Sequence, residues 1–321
     1  MRALFGFVWH GSARDFPVVR ISPRLAANLT LPALLWAGNA VVGRLLRDQI
    51  SPVTLNGLRW SLALLLLAPL AWRLLRHPGA VLARWRYFGL VGFLGMGCYN
   101  ALQYQALHTS SPLNVTLMVA SMPVWMMAVG ALFFGVRPQR REMLGAALST
   151  AGVLLVIARG DWRVLAELHF VPGDGYMVIA LFVWALYSWL LARPPAAMQG
   201  AQRPVWTWAE ALMAQLIFGA SFALGMAGIE QVAAPAAILW SPGLVAALVF
   251  VAVGPSLIAY RCWSAGVAEG GPALAALASN LTPVFAAVLS AALLGLAPEW
   301  FHGAAFVLIV AGIGVSLKRS A

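Results

Sequence analysis

The stretch Pro112-Leu-Asn-Val-Thr-Leu-Met-Val-Ala-Ser-Met-Pro123-Val124-Trp125, which closes at Gly135, is written again as Pro272-Ala-Leu-Ala-Ala-Leu-Ala-Ser-Asn-Leu-Thr-Pro283-Val284-Phe285, which closes at Gly295. Two prolines, a valine, an aromatic and the final glycine recur at a constant offset of 160, and the same offset carries Ala151-Gly152 onto Ala311-Gly312. Both copies are apolar enough to cross a bilayer. A duplicated apolar domain is the usual ground plan of secondary carriers.

Composition agrees with a membrane setting. The chain is 62% hydrophobic and only 10% charged, with a mean hydropathy of +0.84, far from the roughly 45–50% apolar and about 25% charged norm of soluble domains. A crossing helix needs about 20 apolar residues, so ten spans joined by short loops consume most of the 321 residues and leave no separate soluble domain. The expected fold is an all-α integral membrane protein with ten transmembrane helices at 25–46, 53–75, 86–107, 112–135, 141–158, 174–193, 205–228, 241–266, 271–295 and 299–317. Residues 1–24 read as a basic cytoplasmic tail, 25–158 as the first five-helix repeat and 174–317 as the second.

With a cytoplasmic N-terminus, sixteen of the 21 basic residues fall on the cytoplasmic side, four on the other, and Arg59 inside helix 2. Positive charge in short loops marks the cytoplasmic face, so both termini are expected there. Five helices per repeat is an odd number, so the second repeat is inverted relative to the first, the geometry that alternating access uses. The basic residues are spread over many loops rather than gathered on one aromatic-laced face, which argues against a nucleic-acid partner. Cys98 and Cys262 sit in apolar segments as small packers. Neither a metal-ligand spacing nor a nucleotide-binding loop occurs, so no cofactor or metal is expected, and paired acids for a membrane-embedded enzyme are missing.

The chain resembles the drug/metabolite transporter superfamily in its ten-helix form with two EamA domains, over roughly residues 25–317. The residues that carry the likeness are Leu34-Leu35-Trp36-Ala37-Gly38-Asn39-Ala40-Val41-Val42-Gly43, Ile50-Ser51-Pro52, Leu58-Arg59-Trp60, Gly173-Asp174-Gly175, Val183-Trp184-Ala185-Leu186-Tyr187, and the paired proline helices. The resemblance implies export of amino acids, other metabolites or drugs across a bacterial inner membrane, through a central cavity lined mainly by helices 1, 3, 4, 6, 8 and 9. Two departures stand out. Helices 4 and 9 continue as Gly135-Val136-Arg137 and Gly295-Leu296-Ala297, without the glutamate common there in the family, and helix 1 lacks an embedded glutamate.

Polar side chains at membrane depth are costly and are therefore candidate site residues. Helix 3 is the densest, with Tyr99, Asn100, Gln103, Tyr104 and His108; Asn100, Gln103 and Tyr104 share a face by their spacing. The alternative is an interhelical hydrogen-bond seam. Trp36 and Asn39 in helix 1 are matched at offset 148 by Trp184 and Tyr187 in helix 6, natural walls of a site near a pseudo-twofold axis. Tyr260-Arg261 aligns with Asn100-Ala101 at offset 160. Arg261 could grip a carboxylate with its planar fork or snorkel to the headgroups. Asn280 flanks the second proline helix, and Pro123 and Pro283 are expected to act as hinges or to shape the cavity by freeing backbone carbonyls. Arg59 is expected near the outer end of helix 2 beside an acid or a helix end. Glu210 is read as interfacial, with a proton relay as the alternative. The functional expectation is a secondary transporter exporting a small neutral or zwitterionic metabolite, amino acids foremost, with drug-like amphiphiles as the alternative. Its partners are that small molecule and the lipid bilayer.

Overall fold

The computed structural model describes residues 21–46, 48–107, 109–166, 169–235, 237–294 and 299–317, and every regular element among them is a helix. Most of the basic tail, His108 and Gly295 lie outside the described residues. Six helices are long and apolar enough to cross a bilayer: Pro23–Gly43, Pro172–Ala192, Trp208–Ala233, Pro242–Gly270, Pro272–Ala292 and Trp300–Leu317. Asn114–Ala120 and Met122–Phe134, bent by 49° at Ser121, make a seventh when taken as one span. The chain is a multi-pass membrane protein. Further helices at Pro52–Leu67, 85–107 and Arg140–Ile157 occupy the other positions expected from the sequence.

Short polar signals set the helix starts. Ser51-Pro52, Ser111-Pro112 and Ser241-Pro242 each open a helix, with the serine Oγ accepting from the N3 backbone N–H at 3.1 Å. Serine satisfies an orphan donor, while proline at the first position has none to satisfy. Gly135 ends the Met122–Phe134 helix in the left-handed region, φ 68°, where a side chain would be strained.

One boundary differs from expectation. The helix predicted over 53–75 stops at Leu67, because Pro69 cannot donate to the preceding turn, and a separate short helix, Trp72–Arg76, follows. Arg59 lies about two turns inside the start at Pro52, which is the middle of the shortened helix.

Two further interruptions mirror one another. Phe93–Cys98 and Ala252–Ile258 are π-helical turns inside longer helices, and an offset of 160 superposes 93–98 on 253–258. In the second, Pro255 lacks an N–H, and the Ser256 hydroxyl donates to the Val251 carbonyl at 2.7 Å. In the first, Gly95 and Gly97 let neighbours approach closely: a Cβ on Gly95 would stand 2.6 Å from the Tyr187 ring.

Small residues bring the helices together, as is general in membranes. Arg140–Ile157 packs on Trp300–Leu317 so closely that a Cβ on Gly145 would meet the Gly312 carbonyl oxygen at 2.6 Å, and one on Gly152 the Ala305 carbonyl oxygen at 2.9 Å. The pair is antiparallel. Since 145 maps to 305 and 152 to 312 at offset 160, these contacts are reciprocal, the pattern that a two-fold relation produces.

Candidate functional site

Seven aromatic rings meet at the centre of the largest buried cluster: Trp36, Trp60 and Tyr99 from the first half, and Trp184, Tyr187, Tyr260 and Trp263 from the second. Trp184 is the hub, with ring centroids at 5.6 Å from Trp36, 5.0 Å from Tyr99, 5.1 Å from Tyr187, 5.8 Å from Tyr260 and 5.4 Å from Trp263. Most pairs are edge-on or tilted, which places positive ring edges against negative faces. Trp36 and Trp184, matched at offset 148 in the sequence, touch one another, so the cluster lies where the two halves meet.

Two of these rings donate to carbonyls inside the π-helical turns. The Tyr260 hydroxyl donates to the Gly95 carbonyl at 2.7 Å, and Trp36 Nε1 donates to the Pro255 carbonyl at 3.2 Å. Gly95 and Pro255 are themselves 160 apart, so each half offers the equivalent carbonyl to an aromatic donor. Such turns loosen the regular ladder and are frequent at functional sites. Trp263 Nε1 donates to Ser188 Oγ at 3.1 Å, and the Tyr187 hydroxyl to Gln215 Oε1 at 3.3 Å.

Of the residues expected at the site, Trp36, Tyr99, Trp184, Tyr187 and Tyr260 are thus gathered in one place. Asn100 is buried, with its amide donating to Met96 of its own helix at 3.1 Å. Asn39 and Gln103 are half-buried on the helices that carry Trp36 and Tyr99. Asn280 lies elsewhere, at the proline breaks, where its amide donates to Ser149 Oγ at 2.9 Å and to the Ala120 carbonyl at 3.4 Å. That carbonyl is free because Val124 N–H donates to Ser121 instead, and Thr150 Oγ1 donates to it as well, at 3.1 Å. Pro123 opens the Met122–Phe134 helix just after the break. At Pro283 the missing donor leaves the Ser279 carbonyl to the Thr282 hydroxyl at 2.6 Å.

The three awkward charges resolve differently from one another. Glu210 caps its own helix, with Oε2 accepting from Thr207 N–H at 2.7 Å while Thr207 Oγ1 accepts from Glu210 N–H at 3.2 Å. Arg261 is exposed, with its guanidinium 4.5 Å from the Trp208 ring. Arg59 is buried and has no acid beside it: among the described residues no carboxylate lies within 4.0 Å of it. Its Nε donates to Ser256 Oγ at 3.1 Å, and its guanidinium lies 4.7 Å from the Trp60 ring.

Sequence reading missed Trp263, Trp60, Gln215 and the carbonyls of Gly95 and Pro255. The repeat could have found Trp263, since offset 160 carries Gln103 onto it.

Comparison with known proteins gives the family and the fold. The family model described as EamA-like transporter family matches residues 26–158 and again 171–318. An Archaeoglobus fulgidus protein named an uncharacterized transporter is 25% identical over 293 residues, covering 91% of this chain and 96% of that protein. A Salmonella typhimurium protein named a probable amino-acid metabolite efflux pump is 27% identical over 296 residues, covering 89% and 92%. One solved crystal structure shares the fold with a TM-score of 0.69 at 20% identity, over 91% of this chain and 95% of that one.

Proposed function

The chain belongs to the EamA-like transporter family of the drug/metabolite transporter superfamily, and we propose that it exports small neutral or zwitterionic metabolites, amino acids foremost, across a bacterial inner membrane by alternating access. Ten spans in two inverted five-helix repeats, 25–158 and 174–317, with both termini cytoplasmic, form the frame of that reading. The antiparallel, reciprocal contacts of Gly145 with Gly312 and of Gly152 with Ala305 support the inversion.

The observation that carries the proposal is the pair of equivalent carbonyls, Gly95 and Pro255, presented to aromatic donors where the two halves meet. A carrier must offer related contacts to its cargo from both sides. A substrate entering this centre exchanges hydrogen bonds with Tyr260 and Trp36 and stacks against Trp184, while Asn39, Tyr99, Asn100, Gln103 and Tyr187 complete the walls. Pro123, Pro283 and the Asn280 seam set the bend of the proline helices. The Salmonella relative's name favours amino acids as cargo. The concentration of rings favours a second reading, drug-like amphiphiles.

The test is flux into liposomes containing purified protein, with a panel of labelled amino acids and aromatic amphiphiles. Downhill flux of neutral amino acids, reduced in Trp36→Phe and Tyr260→Phe while folded protein is recovered, is expected. Background flux for the amino acids alone selects the amphiphile reading; background flux for the whole panel refutes both.

A further inference from the structure

Arg59 is a permanent cation at the middle of an apolar helix, 5% exposed. A buried arginine that serves only packing has its donors filled, because an unmet buried donor costs about 1–3 kcal/mol. Of the five N–H donors of this guanidinium, only the one on Nε has a protein acceptor among the described residues, and that acceptor is a neutral hydroxyl. The Trp60 ring face beneath it offers attraction without a counter-charge. The terminal nitrogens have no protein acceptor, yet they are not fully enclosed, so they face accessible space with no anion beside them.

Its neighbours are unsatisfied as well. Asn56 Oδ1 and Trp60 Nε1 are both buried without a hydrogen-bond partner. Spaced three and four residues apart, positions 56, 59 and 60 share one side of Pro52–Leu67, and Arg59 anchors that side to the π-helical turn at Ser256. Trp60 continues the patch into the aromatic centre, its ring 4.9 Å from Tyr260. Two kinds of donor, the terminal guanidinium nitrogens and the indole N–H, thus share one side of the helix with an acceptor amide oxygen, and none of the three has a protein partner.

We propose that Arg59 binds the carboxylate of the transported molecule, with Trp60 Nε1 as a second donor and Asn56 Oδ1 accepting from a neighbouring ammonium or hydroxyl. The proposal rests on the transport reading and narrows it. A planar guanidinium matches two carboxylate oxygens, and an acceptor one helical turn away suits the opposite end of a zwitterion. The cargo class is an α-amino acid or a closely related carboxylate bearing a donor. A neutral amphiphile leaves the arginine unpaired.

The experiment compares leucine, leucinamide, leucine methyl ester and isovalerate, as competitors of flux in liposomes and as thermal stabilisers of the detergent-purified protein. Wild type should favour leucine over leucinamide by about tenfold or more, as expected for a charge-assisted bidentate contact. Arg59→Gln should lose that preference without losing the amide's weaker effect, and Arg59→Lys should keep part of it. Should Arg59→Gln fail to fold, Trp60→Phe keeps the ring and removes the N–H, and the acid-over-amide preference should then fall several-fold. Equal effects of leucine and leucinamide on wild type overturn the proposal, as does a folded Arg59→Gln that retains the preference. Flux of other metabolites with no response to any of the four compounds sinks the carboxylate site and leaves the transport reading standing. Absence of all flux sinks the transport reading, and the stabilisation series then decides the carboxylate site by itself.

Discussion

Replacing Gly312 with alanine places a methyl carbon 2.6 Å from the Gly145 carbonyl oxygen and 3.1 Å from the Ser149 backbone nitrogen. Both obstacles are main chain, so no side chain can swing away. Ordinary contact needs about 3.4 Å, so the Arg140–Ile157 and Trp300–Leu317 helices must part by about 0.5–1 Å, which forfeits a quarter to a half of each dispersion contact at that level. Overpacking of this kind costs about 1–3 kcal/mol. Gly145→Ala forces the same separation from the other side, since its Cβ would stand 2.6 Å from the Gly312 carbonyl oxygen. Once one methyl has parted the helices, the second enters at reduced cost, and the double variant should be less destabilised than the sum of the singles, as neighbouring sites generally are. Gly314→Ala on the same helix is the control, because its Cβ meets no atom within 4 Å; it should be neutral, or stabilising by up to about 1 kcal/mol from helix propensity. The assay is unfolding in mixed detergent micelles followed by tryptophan fluorescence. Equal losses for Gly312→Ala and Gly314→Ala, or full additivity in the double variant, would show that the two helices do not meet at these glycines.

Reporter fusions after Lys318 and within 76–84 should read as cytoplasmic and fusions within 160–172 as external; a cytoplasmic signal from the last would end the inverted-repeat reading. Gly95→Ala should lower transport far more than Gly89→Ala, because the added methyl meets the Tyr187 ring at 2.6 Å in the first case and only Phe218 Cδ1 at 3.8 Å in the second; matched activities would remove Tyr187 from the site. Glu210→Gln should leave flux intact under a substrate gradient alone, since that carboxylate serves a helix cap; strict dependence on an imposed proton gradient, abolished by this substitution, would make Glu210 a proton carrier.

Features that repeat were legible in the sequence, and features that depend on how the two copies meet were not. The Ser-Pro starts, the proline breaks and the aromatic pairs of Trp36 and Trp184 are local signals, so a constant offset was enough to find them. The π-helical turns were hidden, because one carries Pro255 while its counterpart has only glycines, and no single residue type marks both. Asn280 illustrates the same limit. Its type suggested a site residue, yet the carbonyl it meets is freed by a bend in the opposite copy, 160 residues away. Arg59 shows another limit. Hydropathy runs unbroken through 53–75, yet the regular helix ends at Leu67 ahead of Pro69, and the partners of the charge, Ser256 and the Trp60 ring, come from tertiary packing that the sequence does not display. Among the described residues no carboxylate lies within 4.0 Å of it, and the same side of its helix carries an unpaired amide oxygen and an unpaired indole N–H. A carboxylate on the cargo supplies the counter-charge that Ser256 and the Trp60 ring do not, which ties this local anomaly of the fold to the proposed substrate.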